Sequence, residues 1–127
     1  HSMETAEGSG KIEARVLLKK NDQIYEGTAV GGNSDKGRLR VVAEATQHAI
    51  HQFLKKDFLF VLTDVVRFSL AERRAIGVSI LHFTKQGEEY LSGSAFIHND
   101  ENETVVKATL NAVNRRLTTY LEDSKNP

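Results

Sequence analysis

Two histidines, one aspartate inside an apolar run and one glycine-rich loop are the places where this sequence could do chemistry. His48 and His51 stand three residues apart. That spacing puts two imidazoles on one face of a helix, and zinc sites use it. A third ligand in matching placement is missing, because His82 and His98 stand apart. Solvated helix histidines are the expectation, and no metal or cofactor is assigned. Asp64 interrupts the run from Phe58 to Phe68. Burial would raise its pKa, but an outward carboxylate or one paired with Arg67 is the plainer reading. Ser34, Ser69, Ser79, Ser92 and Ser94 lack a G-x-S-x-G context, so no catalytic residue is assigned and no enzyme is expected. The loop Gly31 to Gly37 reads GGNSDKG and precedes a helix. Free backbone N–H groups and the positive pole of the dipole attract anions there. No G-K-[ST] and no G-x-G-x-x-G is present, which excludes the P-loop and dinucleotide fingerprints. A second loop, HNDENE from His98, stands before a second helix. Together the two loops form a candidate paired site for a small ligand; each alone reads as a cap and turn.

The elements that position these loops are written twice. Ala45 to Leu54 reads ATQHAIHQFL and Ala108 to Leu117 reads ATLNAVNRRL, 63 residues apart. Upstream stand YEGTAV from Tyr25 and LSGSAF from Leu91. Strand, loop and helix recur in order, the mark of internal duplication. Two copies are too few for a solenoid, so a single domain with pseudo-twofold symmetry is predicted.

In chain order, Ile12, Ala14, Val16 and Leu18 alternate with charged residues, the period of a half-buried strand. Asn21-Asp22 suits a tight hairpin, and Ile24 to Val30 is the return strand, with Gly27 allowing close approach of another element. Ser34 or Asp35 can cap a helix from about Arg38 to Lys56. Its stripe is Leu39, Val42, Thr46, Ala49, Ile50 and Phe53. Phe58 to Phe68 reads as a strand covered on both sides, Ser69 to Arg74 as a polar connection, and Ala75 to Thr84 as a strand. Gln86-Gly87 turns into a last strand, Glu89 to Ile97, with Gly93 placed as Gly27 is. Asp100 and Glu103 have the spacing of a capping box before the final helix. Val106, Leu110, Val113, Leu117 and Leu121 make its stripe.

The predicted fold is α+β, an internally duplicated two-layer domain: an antiparallel sheet with two helices on one face, in the order β-β-α-β-β-β-α. Residues 1–10 are expected to be expression scar and disordered linker. Residues 11–122 form one domain with repeats 11–56 and 57–122, and 123–127 a tail. Of the chain's 127 residues, 17 are Lys or Arg and 17 Asp or Glu. That balance lacks the basic surplus of a nucleic-acid binder. The absence of Cys excludes disulfides and thiolate sites and fits a cytoplasmic protein. No apolar run approaches the roughly 20 residues of a membrane span. The strand from Phe58 is apolar on both faces, and exposed apolar patches mark interaction sites, so a homodimer is expected.

The repeat of G-[TS]-A, loop and A-T-x-x-A-[IV], closing in VKATLNAVNRRL from Val106 to Leu117, resembles the regulatory domain of 2-isopropylmalate synthase, which also occurs on citramalate and homocitrate synthases. The resemblance implies an allosteric dimerisation domain that binds a feedback amino acid, or a related keto acid, near the loops between two pseudosymmetric units. Carried over, Gly31, Gly32, Asn33 and Asp35 would line one side of the ligand site, and Asn99 and Asp100 the other. The family's first loop carries a Pro that GGNSDKG lacks. The alternative is an RNA-binding module: from Arg38 the order α-β-β-β-α is that of a double-stranded-RNA-binding domain. That family places lysines at its last helix start, where this chain reads NDENET.

Overall fold

In the computed structural model of the chain, residues 1–125 are described, with side-chain surroundings through Leu121. Strands β1 (Ser2–Gly8), β2 (Lys11–Lys20) and β3 (Gln23–Gly32) lead into helix α1 (Asp35–Leu54). Strands β4 (Phe60–Leu70), β5 (Arg73–Thr84) and β6 (Gly87–Phe96) lead into α2 (Glu101–Lys125). The class is the α+β predicted, and the repeating unit is βββα. Three differences from the sequence reading have physical causes. Residues 2–8, expected as linker, form β1. They pair in register with β2 from Ser2 opposite Leu17 to Gly8 opposite Lys11. Only Met3 packs on the core, so backbone pairing makes this strand and no apolar pattern announces it. The strands divide into two three-stranded antiparallel sheets, β1-β2-β3 and β4-β5-β6, not one. The last helix runs on to Lys125, past the expected tail start at 123; the final two residues of that tail lie outside the described residues.

The two sheets stay separate because a helix occupies the edge where they would join. The Phe60 N–H donates to His51 Nε2 at 3.1 Å, and the Leu62 N–H to Gln47 Oε1 at 2.7 Å. The Leu62 carbonyl accepts from Arg40 at 3.4 Å. Spacings of seven and four put Arg40, Gln47 and His51 on one helical face. Edge strands need such cover against further pairing.

The duplication is plainest where helix meets sheet. A Cβ on Gly27 would overlap the backbone of Ala45 and Ala49, and one on Gly93 the backbone of Ala108 and Ala112. Each helix thus lies on a strand glycine through an Ala-x-x-x-Ala step. Equivalent polar contacts recur: Thr46 and Thr109 donate to Val42 and Val105 carbonyls, and His48 and Asn111 reach Thr28 and Ser94 carbonyls. Leu39, Val42 and Ile50 fill the first half of the core, with Phe60, Ile80 and Val106 in the second. Val41, Ala43 and Ala45 of α1 are buried too. That arc is wider than one stripe because α1 touches its own sheet, α2 and β4.

Three of the four hairpins turn on two consecutive residues of positive φ: Ser9-Gly10, Asn21-Asp22 and Ala71-Glu72. The last stands inside the expected Ser69–Arg74 connection, so β4 and β5 run longer than the sequence suggests. A bulge between Leu62 and Asp64 shifts the alternation. It turns Val65 to the same buried side as Phe60 and Leu62. No helix among the described residues is long and apolar enough to cross a membrane.

Candidate functional site

The two helix starts meet through Arg67 of β4. Its Nε and Nη2 donate to the Glu101 carboxylate at 2.6 and 2.9 Å. Its Nη1 and Nη2 donate to Asp35 at 2.8 and 3.2 Å. Asp35 opens α1 and Glu101 opens α2, so each positive helix pole already faces a carboxylate of its own chain, the favourable placement for the dipole. Arg38 adds a bond to Asp35 at 3.2 Å, and Arg74 lies 3.6 Å from Glu101. The charge of Arg67, then the Arg38 hydrogen bond, hold Asp35 below the usual carboxylate range. Hydrogen bonds from Arg67 do the same for Glu101, and those to Glu101 push the guanidinium's pKa up. Asp64, expected to point outward or to pair with Arg67, does point outward, and its carboxylate lies 3.4 Å from Lys36.

The six residues expected to line a ligand site fall around this junction in different roles. Gly31 and Gly32 are the last residues of β3, opposite Ile12 and Lys11. The Asn33 N–H donates to the Gly10 carbonyl at 3.0 Å. Ser34 is the N-cap, its Oγ accepting from the Gly37 N–H at 2.9 Å. Asp35 alone of the six touches Arg67. Asn99 is exposed, and the Asp100 carboxylate accepts from the Asn102 N–H at 2.9 Å. The junction brings Asp35 and Glu101 onto one cation, and Asn99 and Asp100 immediately precede Glu101 in the chain.

A second constellation, at the opposite ends of the helices, escapes a sequence reading. His82 Nδ1 lies 2.8 Å from Glu89 Oε1, and its Nε2 lies 2.6 Å from the Tyr120 hydroxyl. Arg116 donates to Glu89 at 2.7 and 3.0 Å. The His82 and Arg116 hydrogen bonds hold Glu89 below the usual range. A carboxylate can only accept, so Nδ1 carries a proton, and in the neutral ring Nε2 accepts from the hydroxyl. Phe60 packs against His82 with ring centres 4.9 Å apart. Lys56 Nζ stands 5.2 Å over the Tyr120 ring. This chain of bonds walls an open groove of about 1460 Å³, which Lys55, Lys85, Phe53 and Leu59 also line. A carboxylate–imidazole–hydroxyl order is that of a general-base relay. Here the imidazole is buried, and the relay ties α2 to the β5–β6 hairpin. Tyr120 lies 38 positions from His82 and Arg116 lies 27 from Glu89, so no local motif could have marked the set.

The paired histidines are both committed. His48 Nδ1 lies 2.7 Å from the Thr28 carbonyl, which makes it the protonated nitrogen. His51 Nε2 accepts from Phe60, and burial pushes the pKa of its imidazole down. Among the described residues no three His, Cys, Asp or Glu side chains gather to hold a metal ion. Comparison of the chain with protein-family models and with curated protein sequences gives no match.

Proposed function

We propose that the chain is a non-catalytic, cytoplasmic ligand-sensing and dimerisation domain, similar in role to the amino-acid-binding regulatory domains of 2-isopropylmalate synthases. The observation that carries this reading is the junction of two duplicated βββα units on one cation, with an exposed carboxylate beside it. Arg67 and Asp35 have the charges that a zwitterion needs. An α-amino acid, or a keto acid using its carboxylate alone, would compete with Asp35 for the guanidinium. The ammonium of an amino acid would take the released Asp35. Gly31, Gly32 and Asn33 border Asp35 on one side, and Asn99 and Asp100 precede Glu101 on the other. A ligand that exchanges these pairs shifts the fit of the two units, and regulation requires such differential affinity for two arrangements.

A thermal-shift and calorimetric panel of amino acids and keto acids tests the sensing half. At least one member should stabilise the protein, and Asp35→Asn should weaken amino acids more than keto acids. No stabilisation by any member ends that half. The alternative, an RNA-binding module, predicts gel-shift binding to duplex RNA that weakens steeply with salt. Asp100, Glu101 and Glu103 at the start of α2 argue against it.

A further inference from the structure

The halves share an interior and differ on the sheet faces turned away from the helices. On the first sheet this face is mainly charged: Arg15 bridges Glu4 at 3.1 Å and Glu26 at 2.9 Å, among Lys11, Glu13 and Lys19, with Val30 and Ile24 exposed singly opposite Glu13 and Lys19. On the second sheet the register stacks apolar rows, Phe68–Ala75–Phe96 toward one end and Val61–Leu81–Tyr90 toward the other. Between them lies a shallow trough of about 350 Å³ floored by small residues, Gly77, Ser79, Ser92 and Ser94. Asp64 is the one charged side chain in the rows between.

Tyr90 is 73 % exposed, Phe83 40 %, and Phe68 and Phe96 37 % each. With about 150–250 Å² per aromatic side chain, these four leave on the order of 300–450 Å² of ring surface in water. Val66 and Leu70 of the same face are exposed as well. The sum reaches the top of the range of roughly 300–600 Å² for the largest patch on a monomer. Two such patches facing each other would bury about 1,000 Å² in total, the size that a specific interface needs.

We propose that this face is where two copies of the chain pack, sheet on sheet. The inference rests on the dimerisation half of the proposed function and names its surface. A second copy is the occupant because the rows from Phe68 to Tyr90 carry no cation of their own, with Arg73 opposite Leu70, Glu88 opposite Phe83 and Lys36 on Asp64 standing at the rim, and because the apolar area suffices for a self-interface. Aligned sheets pack about 10 Å apart. A two-fold axis along β5 lays β4 over β6 of the second copy, so Asp64 meets the hydroxyls of the partner's Ser92 and the partner's Ser94, and the two carboxylates stay apart.

Light scattering on the eluting protein, across a hundredfold dilution series, should give twice the 14.2 kDa of one chain. Tyr90→Lys and Phe68→Lys should each raise the dimer dissociation constant about thirtyfold or more, the effect of an aromatic hot spot. Arg15→Ala, on the charged sheet, should leave it unchanged. The chain has no Cys, so Ser79→Cys provides a single thiol at the centre of the face. A bismaleimide spanning about 10 Å should link two such copies, and it should not link Arg15→Cys. This second measurement stands even where a lysine variant unfolds. A wild-type monomer throughout overturns both the surface and the dimerisation half of the proposed function. A wild-type dimer that survives both lysine variants, with Ser79→Cys unlinked, overturns this surface alone.

Discussion

Gly93→Ala should destabilise the protein by about 3 kcal/mol, the upper part of the range for overpacking. The added Cβ would meet the Ala112 amide nitrogen, the Ala112 Cα and the Ala108 carbonyl. All three belong to the backbone of α2, so no side-chain rotation relieves the overlap. The helix must lift from β6, and its close packing there loses dispersion contacts steeply with distance. Urea unfolding followed by circular dichroism reads the effect. With a slope of about 1.5 kcal/mol/M, the midpoint should fall by about 2 M. Gly27→Ala should cost a similar amount, because its Cβ meets the same backbone atoms of Ala45 and Ala49. Gly32→Ala is the control: nothing lies within 4 Å of its Cβ position, and its midpoint should barely move. Adding Ala112→Gly to Gly93→Ala should give no rescue, since the obstruction is main chain. A midpoint loss under about 0.5 M for Gly93→Ala, or rescue by Ala112→Gly, would refute the close crossing and with it the strongest physical sign of duplication.

Three further outcomes follow from the geometry. Replacing Ala71-Glu72 by Asn-Gly should stabilise the β4–β5 hairpin by about 1 kcal/mol, because both positions have positive φ and that pair suits the left-handed turn; an unchanged urea midpoint would count against the turn. Glu101 and Glu89 have carboxyl pKa values below the ordinary 4.5, and Asp35 below 3.8. Their contribution is therefore present above those values and lost as pH falls through the lower, folded-state ones. The melting temperature should decline below about pH 4.5, less steeply in Arg67→Met than in wild type. His51→Leu should cost about 1–3 kcal/mol by leaving the buried Phe60 N–H without its acceptor. In wild type the imidazole pKa is lowered from 6.5, so stability from His51 should fade as pH drops below that value, a slope that His51→Leu abolishes.

Much of the scaffold could be read from residue types because its main contacts are made by side chains with a period. Ala45, Ala49, Ala108 and Ala112 mark the helix crossings in the sequence itself, and Gly27 and Gly93 mark the strands beneath them. Asn21-Asp22 announced its turn chemically; Ala71-Glu72 carries no such signal, so the hairpin there read as a connection. Strand β1 is held by backbone groups that every residue has. The bulge at Leu62/Asp64 changes facing without changing composition. At the candidate site, the loops before the helices were legible, and their convergence was inferred from the repeat. Arg67, which joins them, was not, since its partner Glu101 lies 34 positions away. The Glu89–His82–Tyr120 set was invisible for the same reason.

The edge of β4 depends on a helix from the other half of the molecule. A fragment cut in the loop before Phe60 would keep three complete strands and a complete helix. It would still present the Phe60 and Leu62 amides to solvent beside a bare apolar flank. Such a fragment is a poor independent folder and a ready template for a stray strand. Repetition in this chain has therefore not produced two modules that can be traded or deleted; α1 is common property of both sheets, and the second cannot be inherited without it.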